Sequence, residues 1–285
     1  MEFYYFGGNF TPGFLDSIKK SKFTGVMFTY DATQGDIFTQ IAQQVEPNEK
    51  IKYLVAIRPY TISPQYLCMI NKSMSEILKG DRLQINFISG YIKDHEKSFG
   101  GIIGQVNDQS NKIDKFNYLV KSIDVLNEME GNKNNPLDFY ISMTSPILEK
   151  TANKHDSKII LPYRIYKSQF WKAIHDSNGK LIAPQQPLNL NFNKVMLALT
   201  PIIRKDKTEL EKLPKEYAYR PVWREGEVSK QVSDVEFFTY DEFVIFIKNL
   251  KEKGITQLLL NAWPIEELET VKHYVNKYYM SEEIK

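Results

Sequence analysis

The run Ser142-Met143-Thr144-Ser145-Pro146 places two hydroxyls where an apolar, strand-like segment (Leu137–Met143) meets a helical one (Ile147–Lys154). Backbone N–H groups at a helix start point outward, and the helix dipole favours negative charge there. Thr144 and Ser145 are therefore candidates to hold a phosphate. N-capping accounts for Ser145 equally well, since Ser before Pro is a common helix opening.

Other chemistries find less support. The four histidines are His95, His155, His175 and His273. None forms a His-x-x-x-His pair or lies near a cysteine, so no metal site is expected. His155 and His175 read as residues near helix ends, His273 as helical, and His95 as part of a polar loop, either solvated or reaching in as a lid. Cys68 is the one cysteine, which excludes an internal disulfide and a Cys-rich metal site. Among Leu67, Met69 and Ile70 it reads as a small core residue. Neither G-x-S-x-G nor G-x-x-x-x-G-K-[ST] occurs, leaving a Ser/His/Asp hydrolase and a P-loop unsupported.

The elements that must position these residues alternate along the chain. Strand patterns cover Glu2–Gly8, Gly25–Tyr30, Lys52–Arg58, Leu83–Ile88, Leu137–Met143, Lys158–Pro162, Asn193–Ile203 and Thr256–Ala262. Helical patterns fall between them, among them Ser168–Asp176, Tyr240–Lys253 and Ile265–Tyr279. Thr11-Pro12 and Ser63-Pro64 carry N-cap signals, and Gly80 and Gly254 stop signals. Residues 130–136 and 204–216 read as charged surface loops, and 205–235 as polar and irregular. The basic run Ile203–Lys207 reads as a solvated turn. The long polar connection from Ser89 to about Asn111 reads as functional or mobile.

Strict strand–helix alternation predicts a parallel sheet covered by helices, and eight units favour a closed (β/α)8 TIM barrel over an open doubly wound sheet. The whole chain, 1–285, reads as one such domain. Function in this fold sits at the C-terminal ends of the strands. Candidates there are Gly7 and Asn9; Thr29, Tyr30 and Asp31; Arg58 and Tyr60; Ser89, Gly90 and Tyr91. The later strands add Ser142, Thr144, Ser145, Tyr163, Arg164, Thr200, Asn261 and Trp263. This rim is rich in hydroxyls and aromatics and poor in carboxylates and histidines. It suits an aromatic, phosphorylated ligand better than a hydrolytic reaction.

Composition agrees with a globular enzyme-sized core: 42% hydrophobic and 25% charged residues, with a net charge of +2. That balance gives no reason to expect nucleic acid. No apolar run reaches the roughly 18 residues that a membrane span needs, and the amino-terminal segment lacks a signal-peptide pattern. The cytoplasm is the expected location.

The segment 52–90, KYLVAIRPYTISPQYLCMINKSMSEILKGDRLQINFISG, resembles the luciferase-like flavin-dependent monooxygenases, most of all the alkanesulfonate monooxygenase branch. The matching residues are Ala56-Ile57-Arg58-Pro59, Ser63-Pro64, Gly80-Asp81-Arg82, and Asn86 with Ser89-Gly90. Asp138–Ala152 resembles the strand and helix that hold the flavin phosphate, and Leu258–Glu267 the final strand with its Tyr-Pro-x-x-Glu-Glu turn. The resemblance implies a barrel that binds reduced FMN as co-substrate and oxidises a small organic molecule with O2 through a flavin C4a-(hydro)peroxide. A separate flavin reductase would supply FMNH2, and a homo- or heterodimer is implied. Asn86, Ser89 and Gly90 would lie beside the ring, and Thr144 and Ser145 would hold the phosphate. Tyr30, Arg58 and Trp263 are pocket candidates, and no catalytic residue is assigned.

The chain departs from that branch at several positions. Ala198-Leu199-Thr200 stands where the branch has Arg-Leu-His, and Trp263 where it has Tyr. Thr33 or a neighbour replaces a cysteine, Ser142-Met143 a glycine pair, and Lys115-Phe116 an Arg-Tyr. The insertion before the last strand is shortened. These departures leave two further expectations open: a catalytically inactive flavin-binding or scaffolding subunit of a hetero-oligomer, and a reductase using flavin or deazaflavin without O2.

Overall fold

The first strand, β1 (Glu2–Gly8), shows how the chain is built. Tyr4 packs inside a ring of strands, while Phe3 and Tyr5 pack outward under the helices. That alternation is the two-residue period of a strand buried on both faces. The computed structural model describes residues 1–8, 12–30, 35–46, 48–59, 61–88, 112–143, 145–175, 179–218, 220–224, 227–232, 235–262 and 264–283.

The elements follow as α1 (Pro12–Lys19), β2 (Gly25–Thr29), α2 (Ile37–Gln44), β3 (Lys52–Ile57), α3 (Pro64–Leu78), β4 (Leu83–Phe87) and α4 (Lys112–Glu128). Then come β5 (Phe139–Ser142), α5 (Pro146–Lys154), β6 (Lys158–Pro162), α6 (Tyr163–Ser168), β7 (Val195–Arg204), α7 (Tyr240–Glu252), β8 (Gln257–Leu260) and α8 (Glu267–Glu283). The strands run parallel in the order β7-β8-β1-β2-β3-β4-β5-β6, and β6 pairs back onto β7. The sheet is therefore a closed (β/α)8 barrel, as the alternation predicts.

Caps fix the helix starts. Asp36, Ser63 and Thr239 each accept a first-turn backbone N–H, and Thr239 forms a reciprocal capping box with Glu242. Such a cap contributes about 1 kcal/mol.

Two apolar cores result. The larger lies between strands and helices; the smaller fills the barrel with Tyr4, Met27, Leu54, Tyr140, Met196 and Leu259. Gly25 is required by that filling, because a Cβ there would overlap the Tyr4 ring. The N-terminal end of the barrel is closed by a polar layer. Glu2 accepts from Lys52 (3.1 Å) and Gln257 (2.8 Å), and Asp138 accepts from Gln84 and Lys158 (both 2.7 Å). The interior opens at the other end.

Several elements differ from the sequence expectation. The helix expected over Ser168–Asp176 stops at Ser168. Gln169 adopts a left-handed conformation (φ 59°), and Phe170–Trp171 and Ile174–His175 form short antiparallel ribbons with Gln186–Pro187 and Leu181–Ala183. Bulky aromatic and β-branched residues favour that extended form. His175 thus lies in a strand rather than at a helix end. The expected loop 130–136 contains a helix, Glu130–Asn134, whose buried Asn132 accepts the Leu137 N–H at 2.8 Å. The expected loop 204–216 contains the helix Lys207–Glu211, capped by Asp206. The stretch 205–235 holds the hairpin Arg220–Arg224 with Glu227–Val232. An additional strand, Val235–Thr239, pairs in parallel with the far half of β7, from Thr200 to Arg204. Arg204 is not part of a solvated turn, because its guanidinium pairs with buried Glu267. Cys68 is half-buried and packs against the edge of the core; that partial burial raises its thiol pKa.

Candidate active site

The open end of the barrel holds a cavity of about 250 Å³. Inward-facing residues of successive strands line it. Phe6 and Met27 come from β1 and β2, Asn86 from β4, Ser142 from β5 and Ile160 from β6. Ala198 and Thr200 come from β7 and Leu259 from β8; Arg164 and Asn261 stand just past their strands. Each follows from alternation. Ile85 and Phe87 face the helices and so turn Asn86 inward, as Ile141 and Met143 do for Ser142.

Asn86 and Ser142 form one polar unit on the wall. The Ser142 hydroxyl donates to Asn86 Oδ1 at 3.0 Å, and Asn86 Nδ2 lies 3.5 Å from the Met27 sulfur. Asn86 is only 1% exposed, so its amide is held in one orientation.

The charge content of the cavity is the decisive feature. Arg164 is the one ionisable side chain among the described residues that line it. There is no carboxylate, histidine, lysine or tyrosine in that lining to act as general acid or base. Among the described residues no cluster of three or more His, Cys, Asp or Glu could hold a metal ion, and no helix is long and apolar enough to cross a membrane.

The structure brings some candidates together and separates others. Asn86 lines the cavity. Ser145 is fully buried, and its hydroxyl oxygen accepts the Ile147 N–H at 3.2 Å as the cap of α5. Pro146 has no N–H to offer a ligand, and the Leu148 N–H goes to the Ser145 carbonyl at 3.2 Å. Tyr30 packs toward α2, with its ring centroid 6.4 Å from that of Phe38, and Arg58 is buried at the end of β3. Neither belongs to the cavity lining. Ser89, Gly90, Thr144 and Trp263 lie outside the described residues, as do Asn9, Asp31, Thr33, Tyr60, Tyr91 and His95. The apolar floor of Phe6, Met27, Ile160 and Leu259 is not among the rim candidates that the sequence offers. Its signal was present, since each alternates with outward-facing neighbours along its strand.

The fold and cavity define the class: a (β/α)8 barrel with a site at its C-terminal mouth that carries one ionisable side chain among the described residues. No protein-family model matches the sequence, and no curated protein is similar to it. Solved structures of the same fold are similar over nearly the whole length. The long-chain alkane monooxygenase LadA shares 11% identity at a TM-score of 0.63, with 99% of this chain and 91% of that one covered. The EDTA monooxygenase EmoA from Chelativorans sp. BNC1 shares 9% at 0.62, covering 100% and 95%. An F420-dependent secondary alcohol dehydrogenase, solved with an F420–acetone adduct, shares 13% at 0.61, covering 96% and 97%. At such identities the likeness establishes the barrel fold.

Proposed function

We propose that this chain is a luciferase-like, flavin-dependent oxidoreductase, acting as an FMNH2-dependent monooxygenase on a small organic substrate. One observation carries the reading: the cavity at the catalytic end of the barrel has no acid or base in its described lining. General acid–base catalysis usually contributes about 10²–10⁴-fold, and this lining has no group to supply it. A cofactor that brings its own chemistry removes that need, leaving the protein to bind, orient and exclude water. Reduced flavin supplies electrons for O2 when bound.

The residues present fit the ring end of such a cofactor. Met27, Ile160 and Leu259 offer apolar contact to a flat heteroaromatic, and the Asn86–Ser142 pair offers directed hydrogen bonding at its edge. The solved barrels of this shape support the reading: they include monooxygenases, F420-dependent enzymes and a riboflavin lyase with modified FMN. The phosphate end rests on Thr144 together with Ser145, whose hydroxyl oxygen already serves as a helix cap. A separate reductase supplies FMNH2 in this reading, and the protein pairs as a dimer.

The same lack of an acid or base favours a second reading, a flavin-binding subunit without catalysis. Ala198→Phe, which fills the cavity from β7, separates the site from the rest of the barrel. Anaerobic titration with photoreduced FMN should saturate the native protein and fail for Ala198→Phe of unchanged melting temperature. Saturation followed by turnover of an added organic substrate supports the monooxygenase, and saturation without turnover supports the second reading.

A further inference from the structure

We propose that the opposite end of the barrel carries a second site, one for a small amphipathic anion: an apolar body with a sulfonate, phosphate or carboxylate at one end. The inference does not depend on the flavin reading.

The site is an open cleft of about 670 Å³ between α2 and α3. Its walls are the last turns of those helices and the turns that lead into β3 and β4, so it faces away from the C-terminal mouth. A volume of this size suits a small organic ligand. Ala42, Val45, Ile77 and Leu78 supply an apolar side, and Ile77 is 43% exposed there. Covering such a side chain favours binding.

Lys50, Lys79 and Arg82 supply the positive charge. Arg82 is the fixed member, with a side chain 14% exposed. Its Nε donates to the Leu78 carbonyl at 2.8 Å, and its Nη1 to Glu49 at 3.2 Å and to the Ile51 carbonyl at 3.3 Å. Nη2 makes no hydrogen bond among the described residues. The guanidinium is thus held in place with donors to spare, which is how arginine recognises an oxyanion at little entropic cost.

The two carboxylates of the cleft do not cancel these cations. Lys19, behind them, meets Glu49 at 2.8 Å and Glu46 at 3.3 Å. Lys50 and Lys79 make no side-chain hydrogen bond or ion pair among the described residues. Four cations therefore stand against two carboxylates. Pro47, the one residue of the α2–β3 turn outside the described set, is uncharged. Lys79 is the C-cap of α3 in a left-handed conformation (φ 54°). Glycine or asparagine is usual in that conformation, and a long cationic side chain is carried there against that preference.

The test compares 1-naphthalenesulfonate with 1-naphthalenesulfonamide, which differs in charge, and with sulfate, which lacks the apolar body. Isothermal titrations of the full chain should show the naphthalenesulfonate binding about tenfold more tightly than either. Added salt should erode its preference over the sulfonamide. Lys50→Gln with Lys79→Gln should remove that preference, and Ile77→Ser should weaken both naphthalene probes. These three side chains are exposed, so their variants should keep the native melting temperature. Arg82→Lys, which keeps a charge beside Glu49, should weaken the sulfonate alone. Ala198→Phe, at the far end of the barrel, should change nothing. Equal binding of sulfonate and sulfonamide, no binding of the sulfonate, or an unchanged preference in Lys50→Gln with Lys79→Gln would overturn the proposal. Loss of binding in Ala198→Phe would place the anion at the mouth and overturn it too. Sulfate binding as tightly as naphthalenesulfonate would overturn the amphipathic class. A chain that binds no flavin still tests the cleft, which shares no lining residue with the mouth.

Discussion

Arg204, the last residue of β7, grips Glu267, the first residue of α8, with both terminal guanidinium nitrogens, at 2.7 and 2.6 Å. The Glu267 side chain is 6% exposed and that of Arg204 17%. The pair spans the turn between β8 and α8, the turn that begins with Asn261. It therefore ties the far end of β7 to the helix that follows the last barrel strand. Removing one partner of a buried pair leaves the other charge desolvated and unpaired, which costs about 3 kcal/mol. Glu267→Gln should lower the unfolding free energy, measured by urea titration, by that amount. A shift under about 0.5 kcal/mol, the range of ordinary surface substitutions, would show that the pair is not structural.

Glu49 carries the clearest pH dependence. Its side chain is 7% exposed and meets Lys19 at 2.8 Å, Arg82 at 3.2 Å and the Tyr53 hydroxyl. Burial pushes its pKa up, but the hydrogen bonds from Lys19 and Tyr53 outweigh it, so the net shift is downward from 4.5. The stabilisation is thus complete above the unfolded value and lost as pH falls through the lowered folded pKa. Urea midpoints of the native chain should fall more than those of Glu49→Gln between about pH 6 and about pH 3. Parallel pH profiles would refute the assignment.

Glu149 anchors the ribbon segment that follows α6. Its carboxylate is 4% exposed and accepts from the Trp171 indole N–H and from the Asn189 backbone N–H at 3.1 Å. Glu149→Ala would strand two donors at about 1–3 kcal/mol each. The expected result is a lower melting temperature together with faster proteolysis within 169–190. Unchanged cleavage there would mean that the segment is held by its apolar contacts alone.

Ser145 and Thr144 distinguish a cap from a phosphate site. Ser145→Ala should cost about 1 kcal/mol of stability through loss of the α5 cap. If the pair also holds phosphate, Thr144→Ala with Ser145→Ala should weaken FMN while leaving riboflavin unaffected. Equal losses for both flavins in isothermal titration would reject the phosphate role.

The barrel was legible because its strands alternate. Phe3, Tyr5 and Ile141 face outward while Tyr4, Asn86 and Ser142 face inward, and that period survives in the sequence as near-continuous apolar runs. Asn86, singled out by the resemblance, lines the cavity, as do the rim residues Arg164, Thr200 and Asn261. The strand Val235–Thr239 was not, because it pairs with only the far half of β7 and follows a polar stretch. The ribbons around Trp171 are two or three residues long, too short to show a period. Arg204 sits in a basic run, and nothing local to that run announces a partner 63 residues away.

The most direct test of the account is an anaerobic titration of the native chain with photoreduced FMN, with reduced F420 in parallel. The account predicts one saturable flavin site per chain, blocked by Ala198→Phe, with FMNH2 bound in preference to the deazaflavin. Failure to bind oxidised or reduced flavin, or binding that Ala198→Phe leaves intact, would contradict it.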